Sequence, residues 1–223
     1  MTSFFITASG TGVGKTTVTA RLAYELIASE KTVKVVKPVI SGFTWHSLRH
    51  NDTGRLLKAL GQDPTPENVT AISPWRFEEP LSPDMAARRE DRSVDFDELL
   101  AFSRDTIAAD ADVCLIEGVG GIMVPLDETH TVADWIIALD IPSIVVVGSY
   151  LGTLSHTLTA IETMRVKGLA ITAVVVSESE DSPVPLAETV DTIDRFLPGI
   201  DVRSLPRMKY DPSQPELLAD LVG

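Results

Sequence analysis

The residues best equipped for chemistry lie near the N-terminus, in Gly10-Thr11-Gly12-Val13-Gly14-Lys15-Thr16-Thr17. Phosphates need hydrogen-bond donors without bulk around them. Spaced glycines let backbone N–H groups turn inward, and a helix opening at Lys15 aims its positive end at the same point. Lys15 supplies a point charge for β- and γ-phosphates, and the Thr16 hydroxyl can ligate Mg2+. The usual phosphate loop (P-loop) carries a glycine five positions before the glycine of Gly-Lys-Thr. Here Ser9 stands at that position and Ala8 precedes it, so the loop is a variant.

A phosphate loop of this kind uses carboxylates to hold Mg2+, normally at the C-terminal end of a strand. Glu117 closes the apolar run Val113-Cys114-Leu115-Ile116 and opens Gly118-Val119-Gly120-Gly121, whose glycines allow backbone to approach phosphate closely. Read alone, Glu117 is equally a solvated strand-end carboxylate, and Asp52 in Asn51-Asp52-Thr53 is a helix N-cap. Lys37 follows a second strand and precedes Pro38; on spacing alone it is a solvated lysine or, from an adjacent strand, a second cation near the loop. The turn Tyr150-Leu151-Gly152-Thr153-Leu154-Ser155 has backbone N–H groups that can hold a carboxylate, or it is merely a connection. His156 reads as a helix-face residue, and Cys114 as a small core residue in an apolar strand.

The elements that must position these groups alternate. Phe4-Phe5-Ile6-Thr7 reads as a strand, residues 15–29 as a helix, and Val33-Lys34-Val35-Val36 as a strand. Further strands are expected at 113–116, 144–147 and 170–176, with helices near 52–60, 95–109, 132–139, 154–167 and 186–196. Continuous apolar runs suit strands covered on both faces. The pattern predicts a P-loop NTPase-like α/β fold over 1–223: one domain, a mostly parallel sheet and helices on both faces. Residues 41–92, rich in Pro, Asp, Glu and Arg, are expected to form a loop-rich excursion, and 177–185 an exposed loop.

Composition narrows the function further. Of 223 residues, 44% are apolar and 23% charged, ordinary for a globular chain. A formal net charge of −13 argues against a nucleic-acid partner, whose affinity draws on basic side chains. It also requires that an anionic substrate meet a local basic site. No apolar run reaches the roughly 20 residues that cross a bilayer, so no membrane partner is expected. The first residues lack a signal-peptide pattern. A single cysteine fits a reducing, cytoplasmic setting.

Taken together, the motifs resemble dethiobiotin synthetases of the biotin pathway along nearly the whole chain. The carriers are Thr11-Gly12-Val13-Gly14-Lys15-Thr16, Lys37-Pro38-Val39 with Ser41-Gly42, Glu79-Pro80-Leu81-Ser82-Pro83, Glu117-Gly118-Val119-Gly120-Gly121, Ala133-Asp134-Trp135 and Leu151-Gly152-Thr153-Leu154-Ser155-His156. The family's phosphate loop has an extra residue before Gly-Lys-Thr, which accounts for the displaced glycine.

The resemblance implies a cyclo-ligase that closes a ureido ring on 7,8-diaminononanoate with CO2 (from bicarbonate), ATP and Mg2+. Dethiobiotin, ADP and phosphate would form through a carbamate and a carbamic–phosphoric anhydride. By similarity Lys37 would hold the carbamate, Lys15 the γ-phosphate, and Thr11 the anionic intermediate. Residues 12–17 (Gly12, Val13, Gly14, Lys15, Thr16, Thr17) and 117–120 (Glu117, Gly118, Val119, Gly120) would line the nucleotide. Thr16, Asp52 and Glu117 would ligate Mg2+. Ser177 and Pro206-Arg207-Met208 would border the base, leaving its identity open to nucleotides other than ATP. Ser41 would contact the diamine or carbamate. The Tyr150–Ser155 turn would take the substrate carboxylate from a neighbouring subunit, implying a homodimer. Two other classes fit less well. A cobyrinate-type amidating enzyme would need a glutamine-hydrolysing cysteine, and chromosome-partitioning ATPases carry an extra early lysine that this loop lacks.

Overall fold

The computed structural model describes residues 2–207 and 217–222. Six strands, β1 (Thr2–Ala8), β2 (Val33–Val36), β5 (Val113–Glu117), β6 (Ser143–Gly148), β7 (Ile171–Ser177) and β8 (Asp201–Leu205), form one sheet in the order β2-β5-β1-β6-β7-β8. Every pairing is parallel. Thus all strand C-termini lie along one edge, where a doubly wound sheet binds its ligands.

The register explains the unbroken apolar runs. Phe4, Ile6 and Ala8 of β1 enter one core with Val18, Leu22 and Leu26 of helix α1 (Lys15–Ala28). Phe5 enters the opposite core with Ile116 of β5 and Trp135 of α6 (Val132–Leu139). Both faces of each central strand are therefore covered, and alternation between apolar and polar disappears. Phe5 and Trp135 meet edge to face, centroids 4.8 Å apart. The indole N–H donates to the Ser103 hydroxyl on α5 (Phe96–Ile107) at 3.1 Å, and that hydroxyl donates to the Leu99 carbonyl at 2.7 Å. Truncating Trp135 to alanine would cost about 3–5 kcal/mol, because a fully buried ring and its hydrogen bond are lost together.

Residues 41–92 are more regular than their composition suggests. They contain α2 (Asp52–Ala59), α3 (Pro66–Ile72), α4 (Pro83–Arg89) and β4 (Trp75–Phe77), which pairs in parallel with β3 (Val39–Ser41) at the start of the segment. Pro66 and Pro83 open helices rather than break them, since a first-turn residue has no intrahelical N–H bond to lose. The last strand, β8, was also not anticipated: as an edge strand it exposes Asp201 and Ser204 and lacks an apolar run. Helices α7 (Thr153–Val166) and α8 (Leu186–Phe196) complete the cover. Among the described residues no helix is long and apolar enough to cross a membrane.

Candidate functional site

The variant phosphate loop leaves the end of β1 and enters α1 at Gly14, which N-caps the helix at φ 105 and ψ 16. Two constraints select glycine there. The backbone is left-handed, and an added Cβ would collide with the Ser177 hydroxyl at the end of β7. No side chain caps the helix, so its first N–H groups stay available.

The loop forms one wall of a cavity of about 1040 Å³. Residues 11–17 line it, together with Lys37, Ser41, Asp52, Val119, Gly120, Ser177, Pro206 and Arg207. The fold therefore brings most of the residues singled out in the sequence to one depression. Glu117 lies beneath it, fully buried, and Gly118 offers its carbonyl to the same cluster. Met208 lies outside the described residues. The Tyr150–Ser155 turn does not line this cavity within one chain.

Lys37 reaches the loop by a different route from the adjacent-strand placement expected above. β5 lies between β2 and β1. Lys37, one residue past β2, and Glu117, the last residue of β5, meet across that gap. The Lys37 ammonium donates to Glu117 Oε1 at 2.9 Å and to the Gly118 carbonyl at 3.1 Å, and stands 3.3 Å from Asp52 Oδ2. Thr16 Oγ1 donates to the same Glu117 oxygen at 2.6 Å. The other oxygen, Glu117 Oε2, is buried with no partner. Asn51 caps α2 by accepting from Gly54 N at 3.0 Å. Asp52 is thereby excluded as the cap and its carboxylate is left to face Lys37.

The electrostatics are unusual for an acidic protein. Burial would lower the Lys37 pKa, but the carboxylates of Glu117 and Asp52 outweigh it and raise the pKa above the ordinary lysine value. Lys15 lacks comparable support: burial, with Lys37 nearby, lowers its pKa to about 8. Its ammonium rests on the Gly120 carbonyl at 2.6 Å and the Gly10 carbonyl at 3.3 Å. Burial would raise the Asp52 pKa, yet Lys37 and the Thr16 hydroxyl hold it low. A buried carboxylate with one oxygen unsatisfied, bonded to one buried ammonium group with a second nearby, costs stability. Such arrangements gather where ligands bind. Ser41 Oγ, at another lining residue of the cavity, is also buried and unpaired.

Several lining groups were missed. Glu178, Ser179 and Glu180 continue the rim beyond Ser177. Ser179 and Ser149 exchange hydrogen bonds of 3.0 and 2.9 Å, tying that rim to the end of β6. Arg55 lines the cavity from α2. Only its spacing of three from Asp52, which places both on one helix face, could have pointed to it.

A family model described as an AAA domain matches residues 2–211. The ATP-dependent dethiobiotin synthetase BioD of Acidiphilium cryptum is 49% identical over 198 residues, 88% of this chain and 89% of that protein. Its counterpart from Methylobacterium nodulans is 45% identical over 212 residues, 93% of this chain and 94% of that protein. The chain belongs to the dethiobiotin synthetase family. Its fold extends further: MinD in the MinC:MinD cell division complex of Aquifex aeolicus superposes with a TM-score of 0.57 at 16% identity, over 93% of this chain and 82% of that one. At that identity the likeness concerns architecture alone. The dethiobiotin synthetase sequences cover almost their whole length here, so the match is not confined to the phosphate loop.

Proposed function

We propose that the chain is an ATP-dependent dethiobiotin synthetase, a C–N-bond-forming cyclo-ligase acting on 7,8-diaminononanoate in the cytoplasm. One amine takes up CO2 as a carbamate with loss of a proton. A carbamate oxygen attacks the γ-phosphate, releasing ADP and leaving a carbamic–phosphoric anhydride. The second amine attacks the anhydride carbonyl, closing the ring and expelling phosphate.

The observation that carries this reading is the pair of buried ammonium groups at the cavity floor. Carbamate and triphosphate are both anions, and their approach must be offset by fixed positive charge. Lys37 holds the carbamate, Lys15 the γ-phosphate, and Thr11 donates to the anionic intermediate. Residues 12–17 and 117–120 embrace the nucleotide, with Ser177, Pro206, Arg207 and, outside the described residues, Met208 bordering its base. The unpaired Ser41 hydroxyl contacts the diamine or carbamate. Most of the rate gain comes from positioning and charge stabilisation.

The donor set also fits Mg2+. Thr16, Asp52 and Glu117 offer only oxygens, which this hard cation prefers, and Glu117 Oε2 lacks any partner. Such sites use one or two carboxylates and complete their shell with substrate phosphates and water. Bound there, the ion would neutralise charge on the β- and γ-phosphate oxygens.

The Tyr150–Ser155 turn receives the substrate carboxylate in a homodimer, from the neighbouring subunit. Its exposed Leu151 and the uncapped start of α7 support this part of the reading. The experiment is to combine purified protein, diaminononanoate, bicarbonate, Mg2+ and each nucleoside triphosphate in turn, and to look for dethiobiotin by mass. Ring-closed product with ATP is expected. Absence of product with every nucleotide would overturn the reading.

A further inference from the structure

One cation of the cavity has no role in the chemistry above. Arg55 projects from α2 into the same depression, and Arg55 Nη2 donates to Thr17 Oγ1 at 2.8 Å. Its position differs from that of the other arginine there, Arg207, which pairs with Glu180 at 3.1 Å. Among the described residues no carboxylate lies within 4.0 Å of the Arg55 guanidinium; Asp52, one turn earlier, faces Lys37 instead. The Asp52 carboxylate feels the Arg55 charge, but the guanidinium forms no contact ion pair with it and hydrogen-bonds instead to a neutral hydroxyl on the phosphate loop, which places a cation of this acidic chain (net charge −13) for an incoming anion.

We infer that Arg55 is a further nucleotide-binding residue, contacting the phosphate chain at its α/β end. This rests on the proposed binding of nucleotide at the loop. Thr17 is the third residue of α1, after two residues of the buried cluster at the cavity floor: Lys15, whose ammonium rests on the Gly10 and Gly120 carbonyls, and Thr16, whose hydroxyl donates to Glu117. One residue further turns the helix surface by about 100°, away from that cluster. Thr17 is exposed where Lys15 and Thr16 are buried. The guanidinium offers five donors in a planar fork, and the Thr17 hydroxyl takes one, so others can reach phosphate oxygens. The Thr17 hydroxyl accepts from Arg55 and keeps its own proton to donate. Arg55 thereby adds a third cation along the triphosphate, at the end opposite Lys37.

The test is calorimetric titration of ATP and of ADP, with Mg2+, into wild type, Arg55→Ala and Arg55→Lys. Ligand-free melting and steady-state kinetics are measured on each. Loss of a charge-assisted hydrogen bond on a partly exposed anion should weaken binding about tenfold. ATP and ADP should lose affinity alike, KM for ATP should rise with kcat retained, Arg55→Lys should recover part of the loss, and ligand-free Tm should hold. Weakened ATP with unchanged ADP would move the contact to the γ-phosphate and overturn the assignment. Unchanged affinity for both, with or without a lowered Tm, would reduce Arg55 to a strut between α1 and α2. Failure of wild type to bind either nucleotide would instead remove the proposed function, and this inference with it.

Discussion

Two helix starts in this protein share a backbone design and differ in everything around it. α1 opens at Gly14 and α7 at Gly152, both glycines with left-handed φ, of 105° and 99°, and neither helix has a side-chain cap. Each follows a strand of the same sheet and presents free N–H groups. At α1 two buried ammonium groups stand beside those donors, and Glu117 binds the cluster together from below. At α7 the neighbours are Tyr150 and His156, joined at 2.8 Å, and Leu151 lies 87% exposed. A helix N-terminus alone is a weak anion site; the surrounding charge decides what it can hold. The first start is equipped for a polyphosphate within one chain. The second is suited at most to a single carboxylate, and only if another surface completes it.

The largest expected break comes at the floor of the first region. Lys37→Met should lower turnover by about a thousandfold or more, the scale of removing a preorganised charge from an anionic transition state. Nucleotide affinity, measured by titration, should change little, because Lys15 and the loop N–H groups remain. Equal loss of affinity and turnover would place Lys37 in nucleotide binding rather than in the reacting pair. Next in size, Thr16→Val should weaken Mg2+–nucleotide binding roughly tenfold, through loss of a hydroxyl bonded to charged partners. The same variant should bind nucleotide normally when Mg2+ is chelated. A loss indifferent to Mg2+ would contradict its part in the metal cluster.

How much of this was legible in the sequence follows the same divide. Spaced glycines before Lys15 and Thr16 declare their chemistry, since few other needs require that pattern. Apolar runs such as Ile144–Val147 announce doubly covered strands. β8 escaped notice because an edge strand can be polar, and β3 and β4 because three residues carry no period. Pro66 and Pro83 looked like loop composition and are helix starts. Spacing alone suggests that Lys37 approaches the phosphate loop from an adjacent strand, whereas Glu117 on the intervening strand mediates the approach. Arg55 could not be separated from any surface arginine until α2 was seen packed against α1.

The second region gives a smaller effect. Leu151→Asp, which puts a negative charge on the exposed turn, should raise KM for the diamine about tenfold by like-charge repulsion of its carboxylate. Nucleotide affinity should stay constant, and, on the proposed homodimer, sedimentation should show weaker self-association than wild type. A normal KM would remove the turn from substrate binding. The smallest effect concerns Cys114, whose thiol burial pushes up to about 11. An alkylating reagent at pH 8 should leave it unmodified in the folded protein and label it after unfolding. Rapid labelling of native protein would contradict the packing of β5, on which the placement of Glu117 depends.

The most direct test is a crystal structure of the protein with a non-hydrolysable ATP analogue, Mg2+, diaminononanoate and bicarbonate. The account predicts the Lys37 ammonium released from Glu117 and hydrogen-bonded to the carbamate, beside a γ-phosphate held by Lys15. A Lys37 side chain still closed on Glu117, with the carbamate held elsewhere, would contradict it.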